Sequence, residues 1–113
     1  MKWEAGRQGT GYEKLELLNR WKFFSRFKWD LYLLRYPVGS GIPRHRDPAP
    51  NHRHYRLNIY LWNAKAGGVP EHDEVIISNR FFTLFRPDIA THSVTTVTKG
   101  TRYVLSFGFV KRA

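Results

Sequence analysis

His45 and Asp47 stand two residues apart, and both are metal-ligand types. In extended backbone, residues i and i+2 point to the same side, so an imidazole nitrogen and a carboxylate oxygen can reach one point. A third ligand type, His92, follows the polar loop 86–91 and opens a new apolar stretch. Two histidines and one carboxylate are the donor set of the facial triad, which holds three positions of Fe(II) and leaves the others open. Ten residues after His92, across a Lys99-Gly100 turn, stands Arg102, followed by Tyr103-Val104-Leu105-Ser106-Phe107. An arginine in so apolar a run is expected to be buried and partnered. A guanidinium clamps a carboxylate through two parallel hydrogen bonds. This pattern suits a dicarboxylate that chelates a metal at one end and meets Arg102 at the other.

Rival assignments remain on each of these residues. His45 and Asp47 also fit a surface ion pair in a basic loop. His72, beside Asp73 and Glu74, competes with His92 as the distal ligand; His92 is preferred because Arg102 and a strand pattern follow it. His52, Arg53 and His54 read as a solvated loop, and Phe81, Phe82 and Phe85 as core. The segment 6–12, GRQGTGY, is no phosphate loop, since no strand precedes it and no Lys-Ser/Thr follows. It reads as a flap near the site.

Positioning such a site requires strands. Short alternating segments recur between clusters of Gly, Pro, Asn and Asp, the pattern of an all-β sandwich or barrel. Segment 12–24 fits either a strand or a helix stripe and is assigned as a strand. Segment 29–38 is a strand ended by Pro37 and a Gly39-Ser40-Gly41 turn. The polar stretch 42–55 reads as a strand end followed by a loop. Segment 56–62 alternates, with Leu57, Ile59 and Leu61 on one face and Arg56, Asn58, Tyr60 and Trp62 on the other. Segments 74–78, 80–85, 92–98 and 102–110 complete the strands.

Composition bounds the rest. The chain has 113 residues, 42% hydrophobic and 16% aromatic, which suits one folded domain and excludes a disordered composition. It has no cysteine, so disulfides, cysteinyl metal sites and a thiol nucleophile are excluded. Nineteen Lys and Arg against nine Asp and Glu give a net charge of +10, which suits a polyanionic partner or simply a basic surface. Neither a secretory h-region nor a membrane-length apolar run is visible, so a soluble cytoplasmic protein with no membrane partner is expected.

Three stretches carry a resemblance: LRYPVGSGIPRHRD, RLNIYLWN with Gly67-Gly68 after it, and LFRPDIATHSVTTVTKGTRYVLSFGFV. Together they resemble the core of the 2-oxoglutarate- and Fe(II)-dependent oxygenases, nearest in style to the prolyl-hydroxylase-like members, over about residues 29–110. The resemblance implies a distorted double-stranded β-helix, a jelly-roll or cupin-like barrel with little helix. It implies Fe(II) held by His45, Asp47 and His92, with 2-oxoglutarate and dioxygen as co-substrates. Arg102 matches the partner of the distal carboxylate, and Tyr36 a tyrosine lining the co-substrate pocket. A further contact is implied on the strand after His45-x-Asp47, for which Asn58 and Tyr60 are candidates. The chain departs from the family where Val69-Pro70 follows the glycine pair, and in lacking most of the N-terminal helices that buttress the barrel. A homodimer is one way to cover the outer sheet.

The function implied is hydroxylation of a C–H bond on a protein or peptide substrate, or on a nucleic acid, given Arg44, Arg46, Arg53 and Arg56 around His45. The alternative is a basic β-sandwich that binds nucleic acid without catalysis. A cupin-like metal protein that uses no 2-oxoglutarate is disfavoured by Arg102.

Overall fold

The computed structural model describes residues 2–6, 8–19 and 27–112. Turn-forming clusters cut the sequence into runs of β-branched and aromatic residues, and these form ten strands. They are β1 (Trp3–Ala5), β2 (Glu13–Asn19), β3 (Phe27–Tyr36), β4 (Ile42–His45), β5 (His52–Trp62), β6 (Pro70–His72), β7 (Ile77–Ser78), β8 (Phe82–Phe85), β9 (His92–Val94) and β10 (Arg102–Arg112). No helix occurs among the described residues, so no described helix is long and apolar enough to cross a membrane.

The strands make two antiparallel sheets. One runs β1-β2-β3-β10-β5-β8-β7 and the other β4-β9-β6. The ladder β3-β10-β5 sets which side chains share a face. Ser106 lies opposite both Tyr32 and Asn58, Gly108 opposite Asp30 and Arg56, and Val110 opposite Lys28 and His54. Directly opposed residues point to the same side. This side, which includes the buried Asp30, Tyr36, Arg102, Val104 and Ser106, turns toward the second sheet. The other side carries Leu57, Leu61 and Phe107 outward, with Leu61 51% and Phe107 37% exposed.

Arg56, Asn58 and Tyr60 of the polar face of segment 56–62 are therefore inner, whereas Trp62, beyond the register shift at Tyr103/Val104, is 69% exposed rather than sharing their face. An antiparallel sheet usually buries its apolar face. Here the space between the sheets is a cavity of about 560 Å³ lined by both sheets, and polar side chains belong on its wall. Tyr12, Tyr36, Val97 and Val104 form a hydrophobic core with Leu34, Ile42, Tyr60 and Val94, and Tyr12, Leu34, Tyr36, Ile42 and Val94 also line the cavity. Burying a valine as fully as Val104 stabilises by about 1.5–3 kcal/mol.

Several boundaries differ from the sequence reading. β5 begins at His52, so His52, Arg53 and His54 are strand residues, and His54 is buried. The prolines that suggested a loop end at Pro50, just before the strand. The long apolar reading of 74–78 reduces to Ile77–Ser78, and that of 92–98 to His92–Val94. β1 and β6 had no sequence signal, being three residues each. Phe85 is core, but Phe81 is 59% exposed at the sheet edge. Of segment 12–24, β2 covers 13–19, and 20–26 lie outside the described residues.

Candidate metal centre

β4 and β9 are adjacent and antiparallel, and His45 lies directly opposite His92. Their rings stand 4.2 Å apart, centroid to centroid. Beyond the end of β4 the chain stays extended because the Asp47 N–H donates to the Pro87 carbonyl at 2.8 Å. That bond holds Asp47 on the side of His45. Asp47 Oδ1 lies 3.7 Å from His45 Nε2, and Oδ2 lies 3.6 Å from His92 Nε2. One ligand atom from each of the three residues falls within 4.8 Å of the others.

The other nitrogen of each imidazole is engaged. His45 Nδ1 bonds the Pro43 carbonyl and His92 Nδ1 the Ala90 carbonyl, each at 2.8 Å. A carbonyl only accepts, so Nδ1 carries a proton in each ring, and Nε2 is the nitrogen left to face the cluster. Backbone partners of this kind fix the tautomer and ring orientation of metal-binding histidines. The turn ahead of β9 is itself braced, with Arg86 bonding both Asp88 oxygens at 3.3 and 2.7 Å and the Ala90 N–H returning to the Arg86 carbonyl. The donor set and its outer bonds fit a divalent first-row metal.

His72, the competing ligand, also pairs opposite His92 but is not part of the three-residue cluster. Its ring packs edge-on against Phe85 at 4.3 Å. Burial, with His92 and Arg102 nearby, pushes it down to about 4.

Arg102 begins β10 and is 2% exposed. Its guanidinium lies over the Tyr36 ring at 4.8 Å and the Tyr60 ring at 5.3 Å. Burial lowers its pKa, and the two tyrosines oppose that. Its Nε is buried with no hydrogen-bond partner in the structure. An unsatisfied buried donor on a cation is costly, and an anionic oxygen is the group that would satisfy it. Burial pushes Tyr36 up to about 12, against the opposing pull of Arg102, so its hydroxyl keeps its proton. Tyr12 stacks on Tyr36, centroids 5.3 Å apart, and completes the end wall.

Of the two β5 candidates, Tyr60 is the one beside Arg102. Asn58 lies one inward position closer to Arg56 and bonds Ser106. Arg56 is not a surface arginine: it ion-pairs with the buried Asp30 at 2.9 Å inside the cavity. Arg44 is paired with Asp73 on the surface, while Arg46 and Arg53 are exposed. Sequence reasoning missed Asp30, Arg56 and Ser106; the alternation of 56–62 was visible, but nothing indicated that its polar face lined a cavity.

Two facing antiparallel sheets with this strand order, and a His-Asp-His cluster between them, define the class: the double-stranded β-helix fold. No family model matches the chain, and no curated protein matches it. Among solved structures it is similar to the viral collagen prolyl hydroxylase of Paramecium bursaria Chlorella virus-1 in its 2OG complex. The TM-score is 0.54 and the identity 19%, over 77% of this chain and 61% of that one. The chain thus matches less than two thirds of that protein's length.

Proposed function

We propose that the chain is a 2-oxoglutarate- and Fe(II)-dependent oxygenase that hydroxylates a C–H bond of a protein or peptide substrate, in the manner of a prolyl hydroxylase. One observation carries this reading. The His45, Asp47 and His92 ligand atoms converge on the wall of a cavity that Tyr36 also lines, and the guanidinium over the Tyr36 ring belongs to Arg102, whose Nε is buried and unsatisfied. The likeness to a solved prolyl hydroxylase supports it.

In this reading His45, Asp47 and His92 hold the metal, and their three-ligand set leaves room for other ligands. When loaded, such a centre supplies dioxygen activation coupled to decarboxylation of 2-oxoglutarate. Arg102 receives the distal carboxylate, with Tyr36 donating a hydroxyl and Tyr60 flanking. Asn58 offers its amide from the wall between the two ends. Val104, Val97 and the Tyr12–Tyr36 stack exclude water there, which strengthens the Arg102–carboxylate contact.

The test is iron-dependent conversion of 2-oxoglutarate to succinate, with and without a Gly-Pro-Pro repeat peptide. Turnover lost in Asp47→Ala supports the reading. Absence of turnover under any iron loading overturns it, and salt-sensitive oligonucleotide binding by such a protein would favour the non-catalytic β-sandwich.

A further inference from the structure

The mouth half of the cavity has no part in the roles assigned above. Two of the co-substrate's charges are met by Arg102 and by the metal centre. Lys14, Lys28, Asp30, Tyr32, His54 and Arg56 line the remaining wall. On this wall the strong acceptors are engaged from within. Both Asp30 oxygens accept from Arg56 Nη2, at 2.9 and 3.1 Å. Ser106 Oγ accepts from Arg56 Nη1 at 2.7 Å and donates to Asn58 Oδ1 at 2.6 Å. Arg56 Nη2 also lies 3.4 Å from His54 Nε2. A guanidinium only donates, so Nε2 accepts and the neutral ring carries its proton on Nδ1. Burial, reinforced by Arg56, pushes His54 down to about 4 and keeps the ring neutral at pH 7.

Gln8 and His52 also line the cavity and can accept, but the groups that His54, Tyr32 and Lys14 turn to a ligand are donors. They are His54 Nδ1–H, the Tyr32 hydroxyl and the Lys14 ammonium. Lys14 Nζ sits 5.2 Å from the Tyr32 ring centroid. The Tyr32 pKa is raised, by burial first and then by Asp30, so it too stays protonated. The two carboxylates on the lining are committed: Asp30 to Arg56, and Asp47 between His45 and His92. Glu16, opposite Tyr32 on β2, is exposed and outside the lining. A wall of donors with the Lys14 cation beside Tyr32 selects a ligand rich in acceptors and negative in charge. The net charge of +10 favours the same partner at long range.

We infer that the mouth half of the cavity is the prime-substrate subsite and takes an acidic peptide, whose carboxylate and main-chain carbonyl oxygens accept from His54, Tyr32 and Lys14. This rests on the oxygenase reading. A peptide is favoured over a nucleic acid because His54 is buried in the wall, where a single side-chain carboxylate can reach. A phosphodiester chain carries its charge along an outer edge and would meet the exposed Arg46 and Arg53 instead.

Fluorescence anisotropy tests this with labelled heptapeptides that place one proline between glutamates, glutamines or lysines. The protein is loaded with Mn(II) and 2-oxoglutarate without oxygen. The glutamate peptide should bind at least about ten-fold tighter than the glutamine peptide, the size expected of one or two charge-assisted bonds. His54→Leu and Lys14→Gln should each remove most of that preference, and His54→Asn, which keeps a donor, should restore part of it. Equal binding of the glutamate and glutamine peptides overturns the subsite, as does tighter binding of labelled oligo-dT that depends equally on His54. The oxygenase reading fails separately, in the succinate assay: acidic-peptide preference without 2-oxoglutarate turnover overturns the prime-substrate role. Turnover without the preference overturns the subsite alone.

Discussion

His45 and His92 face each other across the β4–β9 ladder, each with Nδ1 held by a carbonyl two residues back and Nε2 turned toward Asp47. The ligand atoms are preorganised, so metal should bind without refolding and should stabilise the folded chain by mass action. Adding Mn(II) or Zn(II) at about 100 times its Kd should raise stability by about 2.7 kcal/mol, read as a rise in melting temperature. His45→Ala and His92→Ala should abolish the rise. A rise that persists in both would place the metal elsewhere.

Arg102 should govern 2-oxoglutarate affinity and leave the metal alone. Arg102→Ala should raise the apparent KM for 2-oxoglutarate roughly ten- to a thousand-fold, from the loss of a charge-assisted contact in a buried site. Arg102→Lys should recover only part, because an ammonium cannot make the paired contact. Mn(II) titration of both variants checks that the metal Kd is unchanged; loss of metal binding with intact 2-oxoglutarate affinity would refute the assigned role.

The all-β architecture and the convergence of His45, Asp47 and His92 were legible for a physical reason. Strand alternation, turn residues and i, i+2 geometry are local, and a histidine opening a strand before an apolar run is a strong positional cue. What was illegible depended on the pairing of strands distant in sequence within the large sheet. Arg56 and Asp30 lie 26 residues apart in sequence, and only the β3-β10-β5 register makes them neighbours. The same register put Tyr60 beside Arg102 and Asn58 beside Ser106, a distinction alternation alone could not make. Tyr12 in the end wall was hidden because its partner, Tyr36, belongs to a different strand.

Tyr12 should act on the co-substrate end through Tyr36. The Tyr12 ring lies so close to Gly6 that a Cβ added there would fall 2.0 to 2.4 Å from its atoms. The Thr10 hydroxyl bonds the Gly41 carbonyl and ties this loop to the barrel. Gly6→Ala must therefore displace the ring. Both Gly6→Ala and Tyr12→Leu should raise the 2-oxoglutarate KM about three- to thirty-fold, by loosening the Tyr36 hydroxyl. Tyr12→Phe, which keeps the stack, should stay near wild type. Unchanged KM in Gly6→Ala, with a normal melting curve, would remove Tyr12 from the co-substrate end.

His54 makes stability fall on mild acidification. Its folded pKa is about 4, against about 6.5 in an unfolded chain. The unfolded state therefore binds the proton more readily between these values. The contribution is complete above pH 6.5 and is lost as pH falls toward 4, by up to about 3 kcal/mol. Urea unfolding of chelator-treated protein should show a midpoint that drops across this window. The drop should be smaller in His54→Gln, which does not titrate; equal slopes in both proteins would show that His54 is not held neutral.

Gly108 should tolerate no side chain, and the reason joins the sheet to the buried ion pair. Gly108 lies opposite both Asp30 and Arg56 in the β3-β10-β5 ladder, and Arg56 crosses over it to reach Asp30. A Cβ at Gly108 would meet Arg56 Nη2 at 2.0 Å, Cζ at 2.5 Å and Asp30 Oδ1 at 2.8 Å. The guanidinium can swing away, but only by breaking its pair with Asp30, which is 2% exposed. Breaking a buried pair this way costs about 3–5 kcal/mol, more than the few tenths typical of an exposed alanine substitution in a strand. Gly108→Ala should thus destabilise about as much as Arg56→Met. The double variant Gly108→Ala/Arg56→Met should cost little beyond either single change, since the clash and the lost pair are one event. Urea unfolding of the three proteins measures this; additive costs would mean that Gly108 is constrained by something other than the Arg56 side chain.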